Sequence, residues 1–430
     1  MAEIQIYTPN PGPRLKYIAH FIFREVLGAA RVEIISQPQF TAPVRINYSD
    51  TALEGTFQIT PFGLLSEKGL RLQPLHAMEY EGISIFFPVA GGNLPFDFFS
   101  AAFFLLSRYE EYLPGLRDEH NRFAAAYSTA SHLGFLQLPY IDLWAGKLAA
   151  RLSEFFHTPL TFNNKYSAAL SIDVDFPYAF KGHNTRGQTL RLMKDVAKMN
   201  SEASGARIKF MKKGKDPFDT FDALCDAAKA ARLPIAFFCQ TGDQGPYDRN
   251  LHPKNPVYAS LLRKLAKEHQ VGLHPSYKSA DEPHRLLEEK ERLETALSQK
   301  IHTTRQHYIR IKTPEYYRKL IEINITHDYS MGYVRQPGFR ASTSRSFKFY
   351  DVEKDLETPL TIHPFVLMDS IFVNHLLVGE TKALQLSKAI IAEVKRTQGV
   401  AHIVFHNPVL SETFEWKGWS GYFYKVLESL

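Results

Sequence analysis

The chain has 430 residues, of which 44% are hydrophobic and 22% charged, with a formal net charge of +6. That length exceeds what one hydrophobic core usually serves, so two domains are expected, and the composition excludes a fibrous, low-complexity or disordered chain. With only Cys225 and Cys239 present, a disulfide framework is excluded as well.

The opening MAEIQIYTPN lacks the basic start and apolar run of a secretion signal. The greasiest stretch, FDFFSAAFFLL, is about half the length of a membrane span. A cytoplasmic protein with no membrane span is therefore expected. Short strands are read at RVEIISQ (31–37), GLLS (63–66) and GISIFFPVA (82–90). A helix is expected over roughly 96–112, where Phe98, Ala102, Leu105 and Tyr109 recur at helical spacing. A second, LPYIDLWAGKLAARLSEFF, has Pro139 near its first turn. The polar, turn-rich TPLTFNNKYS at 158–167 marks a boundary, dividing the chain into a smaller α+β domain (1–163) and a second domain (164–430).

Beyond it the rhythm changes. Short apolar strands are read at 167–173, 234–241, 270–276, 301–308, 323–332, 360–367 and 400–408. Between most of them lies an amphipathic helix, among them PVYASLLRKLAKEH and KALQLSKAIIAEVKR. Alternation of this kind implies a parallel sheet covered by helices, either a β/α barrel or an open doubly wound sheet. The basic run RIKFMKKGK (207–215) reads as a solvated loop in preference to an anion contact. No other basic cluster with interleaved aromatics supports a nucleic-acid partner.

Nearly every strand of the second half ends in a group that can bind a metal or move a proton: Asp173 and Asp175, Asp243, His274, Arg305 and His307, Asp328, His363, and His406. In a β/α barrel the C-terminal strand ends converge on one mouth, whereas an open sheet spreads them along an edge. Convergence favours the barrel.

Two carboxylates leaving a strand together in SIDVD are costly unless a positive group lies between them. A divalent cation would answer that need. Carboxylate oxygen and imidazole nitrogen suit zinc first, with cobalt, manganese or iron as alternatives. One aspartate and His274 would bind it, and the other aspartate would act as general base, held and oriented by Arg305. His406 could protonate a leaving group from the opposite side. Each residue also has a plainer reading. D-x-D pairs cap helices and form turns, and His274 precedes Pro275 and could simply end a strand. His402 shares a strand with His406 but lies too far along it for one metal, which makes it structural.

Taken together, these residues resemble the polysaccharide deacetylases of carbohydrate esterase family 4, over about 165–430. The resemblance implies an irregular seven-stranded β/α barrel and a metal-dependent amide hydrolase. Carried over residue by residue, it makes Asp173 the base and Asp175 a metal ligand. In the motif H-[ST]-x-x-H, the stretch HPSYK matches through His274 but has Lys278 where a second histidine stands. In R-x-P-[FYW], RQHY matches through Arg305 and Tyr308, with His307 replacing proline. IVFH supplies His406 as general acid, with Asp369 as its first-choice orienting acid and Asp328 the second. His307 is expected to replace the missing ligand, and Tyr308 and Tyr277 to contact substrate.

The phrases GLHPSYKS, RQHYIR and HPFVLMDS, with FFLLSRYEEYLPGLRDEHNRF upstream, look like a bacterial branch of this family carrying an extra N-terminal domain of unknown function. HNTRGQ (183–188), in a long insertion, could form a lid. The expected substrate is an N-acetylated carbohydrate. Lys278 keeps a second class open, a degenerate deacetylase fold that only binds carbohydrate.

Overall fold

The structure is a computed structural model and describes residues 2–162, 164–182 and 185–430. In the N-terminal part, alternation in Glu3–Tyr7 (β1) buries Ile4 and Ile6. Beside β1 run Arg31–Ile35 (β2), Val44–Asn47 (β3) and Phe57–Gln58 (β4), in the order β2-β1-β3-β4. All three pairings are parallel, so this part is built on a parallel sheet and is not the α+β arrangement expected. Parallel neighbours need crossovers, and the helix Pro13–His20 supplies one between β1 and β2. A small hairpin pairs Met78–Tyr80 (β5) with Ile83–Ile85 (β6) across Glu81 and Gly82. Both turn residues have positive φ, as such a two-residue loop requires. GLLS is a turn rather than a strand, and it buries Leu64 and Leu65.

The helix expected over 96–112 is two helices, Phe98–Leu106 and Tyr109–Tyr112. Every residue of the first is buried. Arg108 breaks the run with φ 54°, and its guanidinium reaches Glu110 and Glu111 at 2.8 and 2.9 Å. The second expected helix is Tyr140–Phe156, with Pro139 as its N-cap residue.

The large sheet comprises Ser167–Val174 (β7), Ile235–Cys239 (β8), Gln270–Leu273 (β9), Thr303–Thr304 (β10), His327–Asp328 (β11), Phe347–Asp351 (β12), Leu356–Ile362 (β13), Leu367–Met368 (β14) and Val400–His406 (β15). Its order is β12-β13-β11-β10-β9-β8-β7-β15-β14, parallel throughout except for β12 with β13. Residues 363–366 change neighbours. His363 N–H donates to Asp328 and Phe365 N–H to Met331, whereas Val366 N–H donates to His402. One run of chain thus bonds to β11 at its start and to β15 at its end, and the sheet curls round the ends of its strands.

The two parts share a continuous core. Tyr17 lies 4.8 Å from Tyr350 and donates to the Lys348 carbonyl at 2.7 Å. Glu111 takes a bidentate pair from Arg340 at 2.9 and 2.7 Å. The basic run 207–215 is not a loop over most of its length: the helix Ser201–Lys213 includes it to Lys213, packed against Thr185–Ala197. Of the expected HNTRGQ lid, His183 and Asn184 lie outside the described residues. Both cysteines are free thiols.

Candidate metal centre

β7 carries Asp173 as its penultimate residue, opposite His406 of β15, and Asp175 follows the strand end. The two acids part company there. Asp173 turns to Arg305, whose Nη1 donates at 2.7 Å. Arg305 is fully buried; its Nη2 meets Ser171 Oγ (2.7 Å) and His402 Nε2 (3.3 Å), and its Nε donates to the Tyr329 carbonyl (3.0 Å). The Phe238 ring lies 4.4 Å from the guanidinium. An arginine so fixed orients its carboxylate.

Asp175 instead faces three imidazoles. His274 Nε2 lies 3.1 Å from Oδ1, and His307 and His406 Nε2 lie 3.5 and 3.6 Å from Oδ2. The far nitrogens of these rings are all committed. His274 Nδ1 meets the Arg305 carbonyl at 2.6 Å, His307 Nδ1 meets Asp248 at 2.9 Å, and His406 Nδ1 meets Asp369 at 2.6 Å. Since each of those partners only accepts, Nδ1 carries the proton in every ring. Nε2 then turns a lone pair toward a carboxylate, an arrangement that needs either a second proton or a cation. Burial pulls His307 and His406 down, but the acids around them raise the rings to about 9 and about 10 respectively. Burial pushes Asp175 up, yet the charge of His307 and the surrounding imidazoles hold it well below the usual carboxylate range.

One ligand atom each from Asp175, His274 and His307 lies within 4.8 Å of the others, so this group could hold a metal ion. Tetrahedral zinc, with ligands near 2.05 Å, would space its donors about 3.3 Å apart; here His274 meets one oxygen of Asp175 at 3.1 Å and His307 the other at 3.5 Å. The carboxylates or carbonyl behind both histidines are the outer partners that fix a metal-binding tautomer. The residues fit a divalent cation.

Other strand-end groups are elsewhere. Lys278 is exposed on a short helical turn and does not line the site. Asp243 is exposed, paired with Arg285 and Arg292. Asp328 is held by Ser330 and Tyr316, and burial pushes it up to about 6. Asp369, not Asp328, is the acid on His406. His363 pairs with His327 and Ser346, and His402 with Ser171.

The acids and imidazoles open into a cavity of about 590 Å³. Tyr308 lines it, whereas Tyr277 stands just behind, stacked on Tyr247 at 4.1 Å. Tyr308 and Ile309 both have positive φ, 58° and 53°. Each such non-glycine residue costs roughly 1–3 kcal/mol unless its surroundings hold it. The holding comes from both parts: Asp281 and the Tyr277 carbonyl take Arg310 from one side, and the N-terminal part acts from the other. Arg122 Nη1 donates to the Tyr308 carbonyl at 2.9 Å, and Arg310 Nε donates back to the His120 carbonyl at 2.9 Å. His120 and Arg122 themselves line the cavity. Sequence reasoning missed Asp248, His120 and Arg122. Asp248 sits in a polar loop with no motif around it, and the other two belong to a segment read only as part of an N-terminal domain.

Residues 4–157 match the model of a family of unknown function, DUF7033. No curated protein matches the chain. Among solved structures, the chain is similar to a protein described as a polysaccharide deacetylase from Mycobacterium smegmatis (13% identity, TM-score 0.40, 62% of this chain and 83% of that one). It is also similar to one described as a polysaccharide deacetylase involved in O-antigen biosynthesis from Bordetella bronchiseptica (12%, 0.28, 57% and 72%). A third is the polysaccharide deacetylase of Bacillus cereus (10%, 0.30, 61% and 88%). The chain is thus similar in structure to polysaccharide deacetylases over roughly its C-terminal 60% and begins with a DUF7033 domain.

Proposed function

We propose that this chain is a metal-dependent hydrolase that removes acetyl groups from N-acetylated sugars. One observation carries the reading: in a single cavity, a carboxylate–imidazole donor set has an arginine-bound aspartate beside it and an aspartate-backed histidine facing it. Asp175, His274 and His307 would hold the cation, zinc in first place. When bound there, a divalent cation supplies Lewis acidity to the acetyl carbonyl and to the attacking water.

The chain's own groups do the rest. Asp173, fixed by Arg305, accepts the proton of the attacking water. The Tyr308 N–H donates to the carbonyl oxygen as charge develops on it. His406, its Nδ1 proton tied to Asp369, delivers a proton from Nε2 to the departing amine nitrogen. Rings at the cavity edge, Tyr308 and Trp416 among them, offer flat apolar faces to a sugar. In this reading residues 1–163 form the N-terminal domain. Residues 164–430 form an irregular seven-stranded β/α barrel, with 356–368 counted as one stave and β12 as an appendage. A cytoplasmic location belongs to the same proposal.

The binding-only alternative drew its support from Lys278, which lies outside the cavity. Metal analysis of the purified protein, together with acetate release from N-acetylglucosamine oligomers, tests the proposal. Bound metal with acetate release supports it; protein that neither takes up Zn²⁺ or Co²⁺ nor releases acetate overturns it.

A further inference from the structure

The helices Thr185–Ala197 and Ser201–Lys213 form a pair with an apolar arc on its outer side. At ~100° per residue, Leu190, Met193 and Val196 fall within about a third of the helix circumference. That arc faces solvent: the three side chains are 67%, 62% and 58% exposed, and Met199, just past the helix end, is 90% exposed. The inward side carries polar groups beside the Phe210 ring, which packs on Phe180 at 5.6 Å. Gln188 Oε1 accepts from Arg207 at 2.6 Å, and Asp195 pairs with the same guanidinium at 3.0 Å. On the second helix Ile208 and Met211 are exposed as well.

Around this surface stand Lys194, Lys198, Lys209, Lys212, Lys213 and Lys215, all exposed. Among the described residues none of the six has an ion-pair partner. The pair's two acids are engaged, Asp195 with Arg207 and Glu202 with the Phe414 N–H at 2.8 Å. Solvent-facing apolar side chains bordered by unpaired lysines are the pattern of a helix that lies in a membrane interface, apolar face in the acyl boundary and cations among headgroups. A second copy of the chain would set lysines against lysines across a twofold axis. A nucleic acid would satisfy the lysines but leave the apolar arc in water.

We propose that residues 185–215 form a peripheral docking surface for a bilayer carrying anionic lipid. The surface lies beside the cavity, because Glu202 bonds to Phe414, which lines the cavity wall. Docking would therefore hold the cavity rim close to the headgroups. This inference stands whether or not the cavity is catalytic.

Full-length protein is sedimented with phosphatidylcholine vesicles, and with the same vesicles containing phosphatidylglycerol, at low and high salt. Binding is expected only to the anionic vesicles and should weaken as salt rises. Changing Lys194, Lys198, Lys209, Lys212 and Lys213 to Gln should weaken binding about fivefold per lysine removed. Leu190→Ser with Met193→Ser, Val196→Ser and Met199→Ser should abolish it while leaving the melting temperature near wild type, since these side chains are already exposed. Equal binding to both vesicle types, variants that bind like wild type, or no vesicle binding overturns the proposal. Loss of a concentration-dependent dimer in these variants without vesicle binding would assign the surface to a second copy, and a gel shift with nucleic acid alone would assign it there. Either result overturns the membrane assignment.

Discussion

Asp248 accepts a hydrogen bond from His307 Nδ1–H at 2.9 Å, while Nε2 of the same ring faces Asp175 at 3.5 Å. Asp248 also accepts from the Tyr277 N–H, so the acid is itself held in place. The ring is thereby fixed in the orientation and tautomer that a metal ligand needs. Asp248→Asn should weaken Zn²⁺ affinity about 10–100-fold, and His307→Ala should weaken it further. Competition with a chromophoric chelator measures both, and a change within twofold for either variant would count against His307 as a ligand.

Asp173 and Asp175 differ in what they face, and their variants should differ accordingly. Asp173→Asn leaves Asp175, His274 and His307 in place. Metal content should stay at the wild-type level while deacetylation falls by about 10²–10⁴. Asp175→Asn should lose the metal itself. Elemental analysis beside steady-state rates separates the two outcomes.

His406 is backed by Asp369 on both its ring and its backbone N–H, and the proposed mechanism makes it the acid that protonates the amine. His406→Gln should therefore slow amide hydrolysis by about 10²–10⁴. An activated aryl acetate, whose phenolate departs without a proton, should lose much less. Comparable losses on both substrates would remove the acid role.

Much of this centre was legible in the sequence, because polar groups placed directly after short apolar strands have few places to go once those strands run parallel. Asp173, Asp175, His274, Arg305, His307 and His406 meet for that reason. Asp243 looked equivalent but follows β8 by a few residues and turns outward to Arg285 and Arg292. The acid that matters from that loop is Asp248, whose position is set by the loop's fold and not by strand periodicity. Glu3–Tyr7 and Val44–Asn47 escaped notice, and only their pairing with each other, and of the first with Arg31–Ile35, makes them strands. Residues 207–215 read as a loop because their charge hid a helix whose buried contact is an arginine, Arg207.

Lys278 was the sequence's main objection to a metal site, and the structure moves it to the surface. Lys278→Ala should leave Zn²⁺ affinity within about twofold and stability within about 0.5 kcal/mol. A large gain in affinity on removing it would mean that the ammonium reaches the site.

Behind the His274 segment, Glu289 accepts from Ser276 N–H at 2.7 Å and from its hydroxyl at 2.5 Å. Burial raises this carboxyl to about 7 despite those bonds. A folded pKa above the unfolded value means that the neutral form stabilises the fold. That contribution is complete below about 4.5 and is lost as pH rises to about 7, a change on the order of 3 kcal/mol. Glu289→Gln should flatten stability between pH 5 and 8 and make the protein more stable than wild type at pH 8. Urea unfolding at the two pH values checks it.

The exchange of arginines between Arg122 and the Tyr308 carbonyl, and between Arg310 and the His120 carbonyl, has a practical corollary. The two halves of this chain are not interchangeable parts. A second half grafted onto a foreign leader keeps its six site residues, and Asp281 on Arg310, yet loses the Arg122 donor to the Tyr308 carbonyl. The turn at 118–122 is thus one of several places, with Tyr17 against Lys348 and Glu111 against Arg340, where the first half supplies a partner that the second half lacks.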